Sequence, residues 1–102
     1  EFKEKVGSRL KSVREALGLS VNDVAKQVSF SYMALHSMER AKTNPSFSNV
    51  SELCEFYDIS LDTLAYGTDR EFKILLDDLR GVRVDEATLQ KQLQELKHLY
   101  LG

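Results

Sequence analysis

Leu19-Ser20-Val21-Asn22-Asp23-Val24-Ala25, continued by Val28-Ser29-Phe30-Ser31 and Leu35-His36-Ser37-Met38-Glu39-Arg40, is the stretch that decides how this chain folds. Ser20 suits a helix N-cap, because its hydroxyl can accept one of the amide protons that the first turn leaves without a partner. Val24, Ala25 and Val28 then share one face. Ser31 caps the next short helix, which turns Leu35 and Met38 inward and leaves Tyr32, Met33, His36, Ser37 and Arg40 to other faces. Only Ser29 and Phe30 separate the two helices. So short a link cannot fold back into an antiparallel hairpin, and the helices must cross steeply.

A steep crossing of this kind is a helix-turn-helix, placed within residues 19–40. Upstream, Leu10, Val13 and Leu17 recur with helical spacing among Arg9, Lys11 and Arg14, and Gly18 is a natural C-terminal stop. Downstream, Pro45 sits in the polar loop Lys42–Ser48, ahead of a helix with Val50, Leu53, Cys54 and Tyr57 on its apolar stripe. Ser60 caps a brief helix from Leu61 to about Tyr66, which Gly67 closes. The expectation is an all-α domain of five helices over residues 1–67.

Residues 68–102 predict a helical hairpin. Thr68 or Asp69 caps a helix with Phe72, Leu75, Leu76 and Leu79 on one side, ended by Gly81. A second helix starts near Asp85; its Leu89, Leu93, Leu96 and Tyr100 alternate in steps of four and three, the pattern of a two-stranded seam. So short a hairpin cannot bury this apolar surface alone, and a second subunit is the simplest cover, so these eight residues form the expected dimer interface. The competing reading has the leucines of 89–101 packing back on their own domain.

The totals narrow the function. A chain of 102 residues has room for one ordinary domain, and its 42% apolar and 29% charged residues are those of a soluble globular protein. No apolar run reaches the roughly 20 residues needed to cross a bilayer. No basic and apolar leader opens the chain, so a cytoplasmic address is expected, with no membrane partner. Cys54 is the only cysteine, which excludes an internal disulfide, and with His36 and His98 it makes no clustered metal-ligand set. Cys54 falls on an inner stripe and reads as core. No nucleophile with a base, no phosphate-binding glycine loop and no paired carboxylates can be assembled, so neither a catalytic residue nor a cofactor is expected. A net charge of −2 weighs against nucleic-acid binding, and dividing the chain after Gly67 does not help: residues 1–67 hold 8 Lys and Arg against 9 Asp and Glu. A DNA-binding face must come from local clustering of charge.

With Asn44-Pro45-Ser46 and Ile59-Ser60-Leu61-Asp62-Thr63-Leu64 added to the stretch quoted first, residues 6–67 resemble the phage-repressor-like Cro/CI (XRE) family of helix-turn-helix regulators, with its five-helix, lambda-repressor-like DNA-binding domain. Residues 69–101 more loosely resemble the C-terminal hook of SinR-type repressors. The resemblance implies that the helix beginning at Ser31 enters the major groove of double-stranded operator DNA. It assigns base contacts to Tyr32, Met33 and Ser37, and phosphate contacts to Ser20, Asn22, Arg40, Lys42, Thr43, Asn44 and Ser46. Arg14 and Glu39 match the family's structural ion pair between the first and third helices. Ser37 can exchange a hydrogen bond with a base edge and Met33 can meet a thymine methyl, while amides at a helix start bind anions without side-chain charge.

Three departures from the family stand out. Val21 replaces the usual glutamine, which removes one phosphate contact; Ser29 replaces the turn glycine and Ala41 the glycine after the third helix. A left-handed backbone at either of the last two costs about 1 kcal/mol or more. Some of these side chains also have a plainer reading: Tyr32 and Met33 as core and Lys42–Ser48 as a solvated loop, while His36 reads as a surface or DNA-flanking side chain and not a metal ligand. For the whole chain, the implied function is a homodimeric, sequence-specific repressor, with an antirepressor protein as a partner by analogy. The alternative is a drifted helix-turn-helix that binds protein, an antitoxin or antirepressor partner.

Overall fold

The computed structural model describes residues 2–81 together with 94, 95 and 97. Over residues 2–81 six helices follow one another: α1 (Phe2–Ala16), α2 (Val21–Ala25), α3 (Tyr32–Glu39), α4 (Phe47–Tyr57), α5 (Leu61–Tyr66) and α6 (Asp69–Gly81). No strand occurs among the described residues, and the fold is all-α. Serine starts four of these helices. The hydroxyls of Ser20, Ser31, Ser46 and Ser60 each accept from the backbone N–H three residues on, and Ser20 completes a capping box with Asp23.

The helix ends are set as firmly. After α1, Gly18 takes a left-handed turn while Gly18 and Leu19 donate to the Glu15 and Arg14 carbonyls. The same paired hydrogen bonds close α3 through Ala41 and Lys42, and α4 through Asp58 and Ile59. Ala41 and Asp58 both sit at φ 56°. The left-handed turn after α3 is therefore kept despite the missing glycine, at a cost of about 1 kcal/mol at Ala41.

Leu10, Leu35, Leu53 and Leu64 are fully buried at the centre, one each from α1, α3, α4 and α5, with Val6, Val13 and Val24 around them. Burying a leucine side chain contributes about 1.5–3 kcal/mol, so this layer holds the helices together. Gly7 lets α1 lie against the end of α3: a Cβ there would stand 2.5 Å from the Met38 carbonyl oxygen. Gly67 answers the same need, since its φ is −62° and a Cβ would meet the Thr63 carbonyl at 2.6 Å.

Two expectations are corrected. Helix α2 ends at Ala25, so residues 26–31, and not Ser29 and Phe30 alone, link it to α3. The ladder tightens as Gln27 donates to the Val24 carbonyl at 2.9 Å, and the Ser29 N–H turns away to Glu52. Phe72, expected between subunits, is instead buried in the core of its own domain, with the guanidinium carbon of Arg9 4.7 Å above its ring centre. Leu75, Leu76 and Leu79 are half-buried against the same core, so α6 packs on the domain that the sequence reading ended at Gly67. Leu89, Leu93, Leu96 and Tyr100 lie outside the described residues.

Candidate nucleic-acid interface

The eight-residue helix α3 buries Leu35, Met38 and Glu39 and turns its N-terminal turn outward. Met33 is 65% exposed and Tyr32 42%. Among the described residues nothing seals these side chains, and the reading of them as core fails. Ser37 stands one turn beyond Met33. Both border a shallow depression whose far side is built from Thr43, Asn44, Pro45, Ser46 and Asn49. The structure thus brings two of the three assigned base contacts beside three of the assigned phosphate contacts. Tyr32 lies off this depression, stacked on His36 with ring centres 5.9 Å apart and planes 11° apart.

The remaining candidates are spread around the rim. Arg40 is exposed at the end of α3, where its backbone N–H donates to the His36 carbonyl. Lys42 is exposed one residue past the left-handed turn. Ser46 caps α4 and so sits where that helix presents its unpaired amides. Ser20 and Asn22 are exposed at the start of α2. Asp23 occupies the same turn, and hydrogen bonds from the Ser20 backbone and hydroxyl hold its carboxyl below its ordinary range. That carboxylate already occupies the positive end of α2 and weakens it as a phosphate site.

Behind α3 lies a buried ion pair. Arg14 donates to both oxygens of Glu39, at 2.8 and 2.9 Å, and to the Leu19 carbonyl at 2.9 Å. The Glu39 hydrogen bond raises the Arg14 pKa above its ordinary value. Tyr57 packs into the same core, where burial and the negative charge of Glu39 push its phenol up. Burial likewise pushes the Cys54 thiol up, which disfavours the reactive thiolate. Among the described residues no group of three or more metal-ligating side chains comes together, and no helix is long and apolar enough to cross a membrane.

Residues 5–69, which hold this outward helix and the loop after it, match the family described as a helix-turn-helix domain. The chain belongs to the helix-turn-helix domain family. It is 32% identical over 65 residues to the HTH-type transcriptional regulator DdrOP3 of Deinococcus deserti, a match that covers 64% of this chain and 50% of that protein. The chain therefore spans about half the length of this curated relative. No solved structure matches.

Sequence reasoning missed two residues of the helix-turn-helix frame. Arg9 is buried, and its guanidinium donates to the Thr63 and Leu64 carbonyls at 3.1 and 3.2 Å and to Asp69 at 3.2 Å, which ties α1 to α5 and α6. Its place between Val6 and Val13 on the helical stripe was the available signal. Glu52 accepts from both donors of Ser29, and nothing in the sequence pairs residues so far apart.

Proposed function

We propose that this chain is a sequence-specific DNA-binding transcriptional regulator of the cytoplasm, a homodimeric repressor that reads double-stranded operator DNA through α3. The observation that carries the reading is the open outer face of α3, with Met33 and Ser37 beside Thr43, Asn44 and Ser46. Membership of the helix-turn-helix family and the likeness to a transcriptional regulator support it. The formal charge of −2 opposes it. Local features offset that opposition: Arg40 and Lys42 flank the end of α3, and the amides at the start of α4 face the same rim. In this reading Tyr32, Met33 and Ser37 meet base edges, while Ser20, Asn22, Arg40, Lys42, Thr43, Asn44 and Ser46 serve the phosphates.

The dimer draws on the half-buried Leu75, Leu76 and Leu79 of α6, and on the leucine spacing of 89–100. Phe72 is excluded from it by its burial in the core. Charged residues in place of Leu93 and Leu96 are expected to halve the mass in sedimentation and to weaken operator binding. An unchanged mass removes the seam.

A specific observation favours a second reading, that of a protein-binding module. Phe47 is 76% exposed and Tyr66 73%, and with Phe2 they rim an apolar cleft that a partner could fill. Selection of bound duplexes from a random pool decides between the two. Enrichment of a two-fold symmetric sequence, with binding that weakens as salt rises, is the expected result. Failure to enrich any duplex at micromolar protein leaves the protein-binding reading ahead.

A further inference from the structure

Ser29 and Glu52 lie 23 residues apart, yet the backbone N–H of Ser29, at 2.6 Å, and its hydroxyl donate to the two oxygens of one carboxylate. That N–H is the one a longer α2 would direct at the Ala25 carbonyl. Glu52 takes it instead, and the chain leaves α2 for the connecting segment. Two residues later Ser31 caps α3. Glu52 itself stands about one turn along α4 from Asn49, which borders the depression shared by Met33 and Ser37.

We infer that Glu52 is a positioning residue for the recognition helix: by gripping Ser29 from α4, it fixes the entry to α3 and hence which base pairs Met33 and Ser37 reach. The inference rests on the DNA-binding reading above. It accounts for a serine where the resemblance leads one to expect a glycine. A glycine turn needs no side-chain anchor, whereas Ser29 supplies a second donor that doubles the grip on the carboxylate. Charge-assisted hydrogen bonds of this kind are stronger than neutral ones.

The carboxylate has two opposite effects on DNA binding, and this makes the inference testable. As a bare negative charge Glu52 repels phosphate, so if charge were its whole contribution, removing it would strengthen binding. As an anchor it holds the turn, and removing it misplaces α3. Repulsion weakens as salt rises, with a screening length of about 8 Å at physiological salt, whereas misplacement does not, so a salt series tells the two effects apart.

The test uses the full chain, the duplex that wild-type protein selects from a random pool, and a scrambled duplex of equal length. Glu52→Ala is expected to lose about tenfold in affinity for the selected duplex at physiological salt, with little change on the scrambled one or in thermal midpoint. Glu52→Gln is expected to restore most of the loss, since its amide oxygen accepts the Ser29 N–H and its NH₂ serves the Ser29 hydroxyl. Ser29→Ala combined with Glu52→Ala is expected to bind no more weakly than Glu52→Ala alone. Selection of a duplex by the wild type, with Glu52→Ala binding it as tightly or more tightly, overturns this inference alone. If the wild type selects no duplex, the DNA-binding reading falls and takes this inference with it.

Discussion

The guanidinium of Arg14 and the carboxylate of Glu39 meet in two parallel hydrogen bonds that tie α1 to the last turn of α3. Their side chains are only 10% and 3% exposed. Two charges withdrawn from water stabilise a fold only through each other. Removing one alone leaves the other stranded, at a cost of about 3–5 kcal/mol. Arg14→Met and Glu39→Leu are each expected to lower the free energy of urea unfolding by about that amount, and the double variant is expected to recover most of it. Additive losses in the double variant would show that the two side chains act independently.

Gly7 sits inside α1, where an alanine would ordinarily favour the helix by about 1 kcal/mol. Here its Cβ would stand 2.5 Å from the Met38 carbonyl oxygen and 3.0 Å from that of Glu39. Backbone oxygens cannot yield as a flexible side chain can, so α1 and α3 must move apart. The clash outweighs the propensity, and Gly7→Ala is expected to lose about 1–3 kcal/mol in chemical denaturation. A rise in stability would mean that α1 does not lie this close to α3.

Ala41 and Asp58 both hold φ at 56°, where a side chain is strained and glycine is not. An aspartate tolerates the left-handed region better than an alanine does. Ala41→Gly is therefore expected to raise stability by up to about 1 kcal/mol, and Asp58→Gly by less. Thermal melting of the two variants side by side checks the order.

Much of this was legible in the sequence, because the signals were local. Ser20, Ser31 and Ser60 lie where three helices begin, and the apolar steps Val50, Leu53, Cys54 and Tyr57 mark the buried face of α4, whose own cap, Ser46, the sequence reading left inside a loop. What stayed hidden depends on contacts between distant residues. Glu52 grips Ser29 in the segment after α2, and no periodicity announces it. Phe72 reads as one more residue of an amphipathic stripe until Arg9, from the opposite end of the domain, closes over its ring. At the site, the family resemblance named Met33 and Ser37 together with Thr43, Asn44 and Ser46, but that they border one depression depends on the left-handed turn at Ala41, which local patterning does not announce.

The contrast between Ser37 and Lys42 carries the proposed function furthest. Ser37 stands on α3 at the depression's edge, where a hydroxyl can only discriminate if it meets a base; Lys42 lies exposed past the end of that helix, where an ammonium meets whatever phosphate is near. Ser37→Ala is therefore expected to cost about 1–3 kcal/mol at particular base pairs and nothing at others. Lys42→Ala is expected to weaken every sequence alike and to reduce the slope of log affinity against log salt by about 1. Gel-shift titrations over a set of singly substituted duplexes and a salt series separate the two. Losses that are equal and blind to sequence for both variants would mean that α3 lies along the duplex and does not read it.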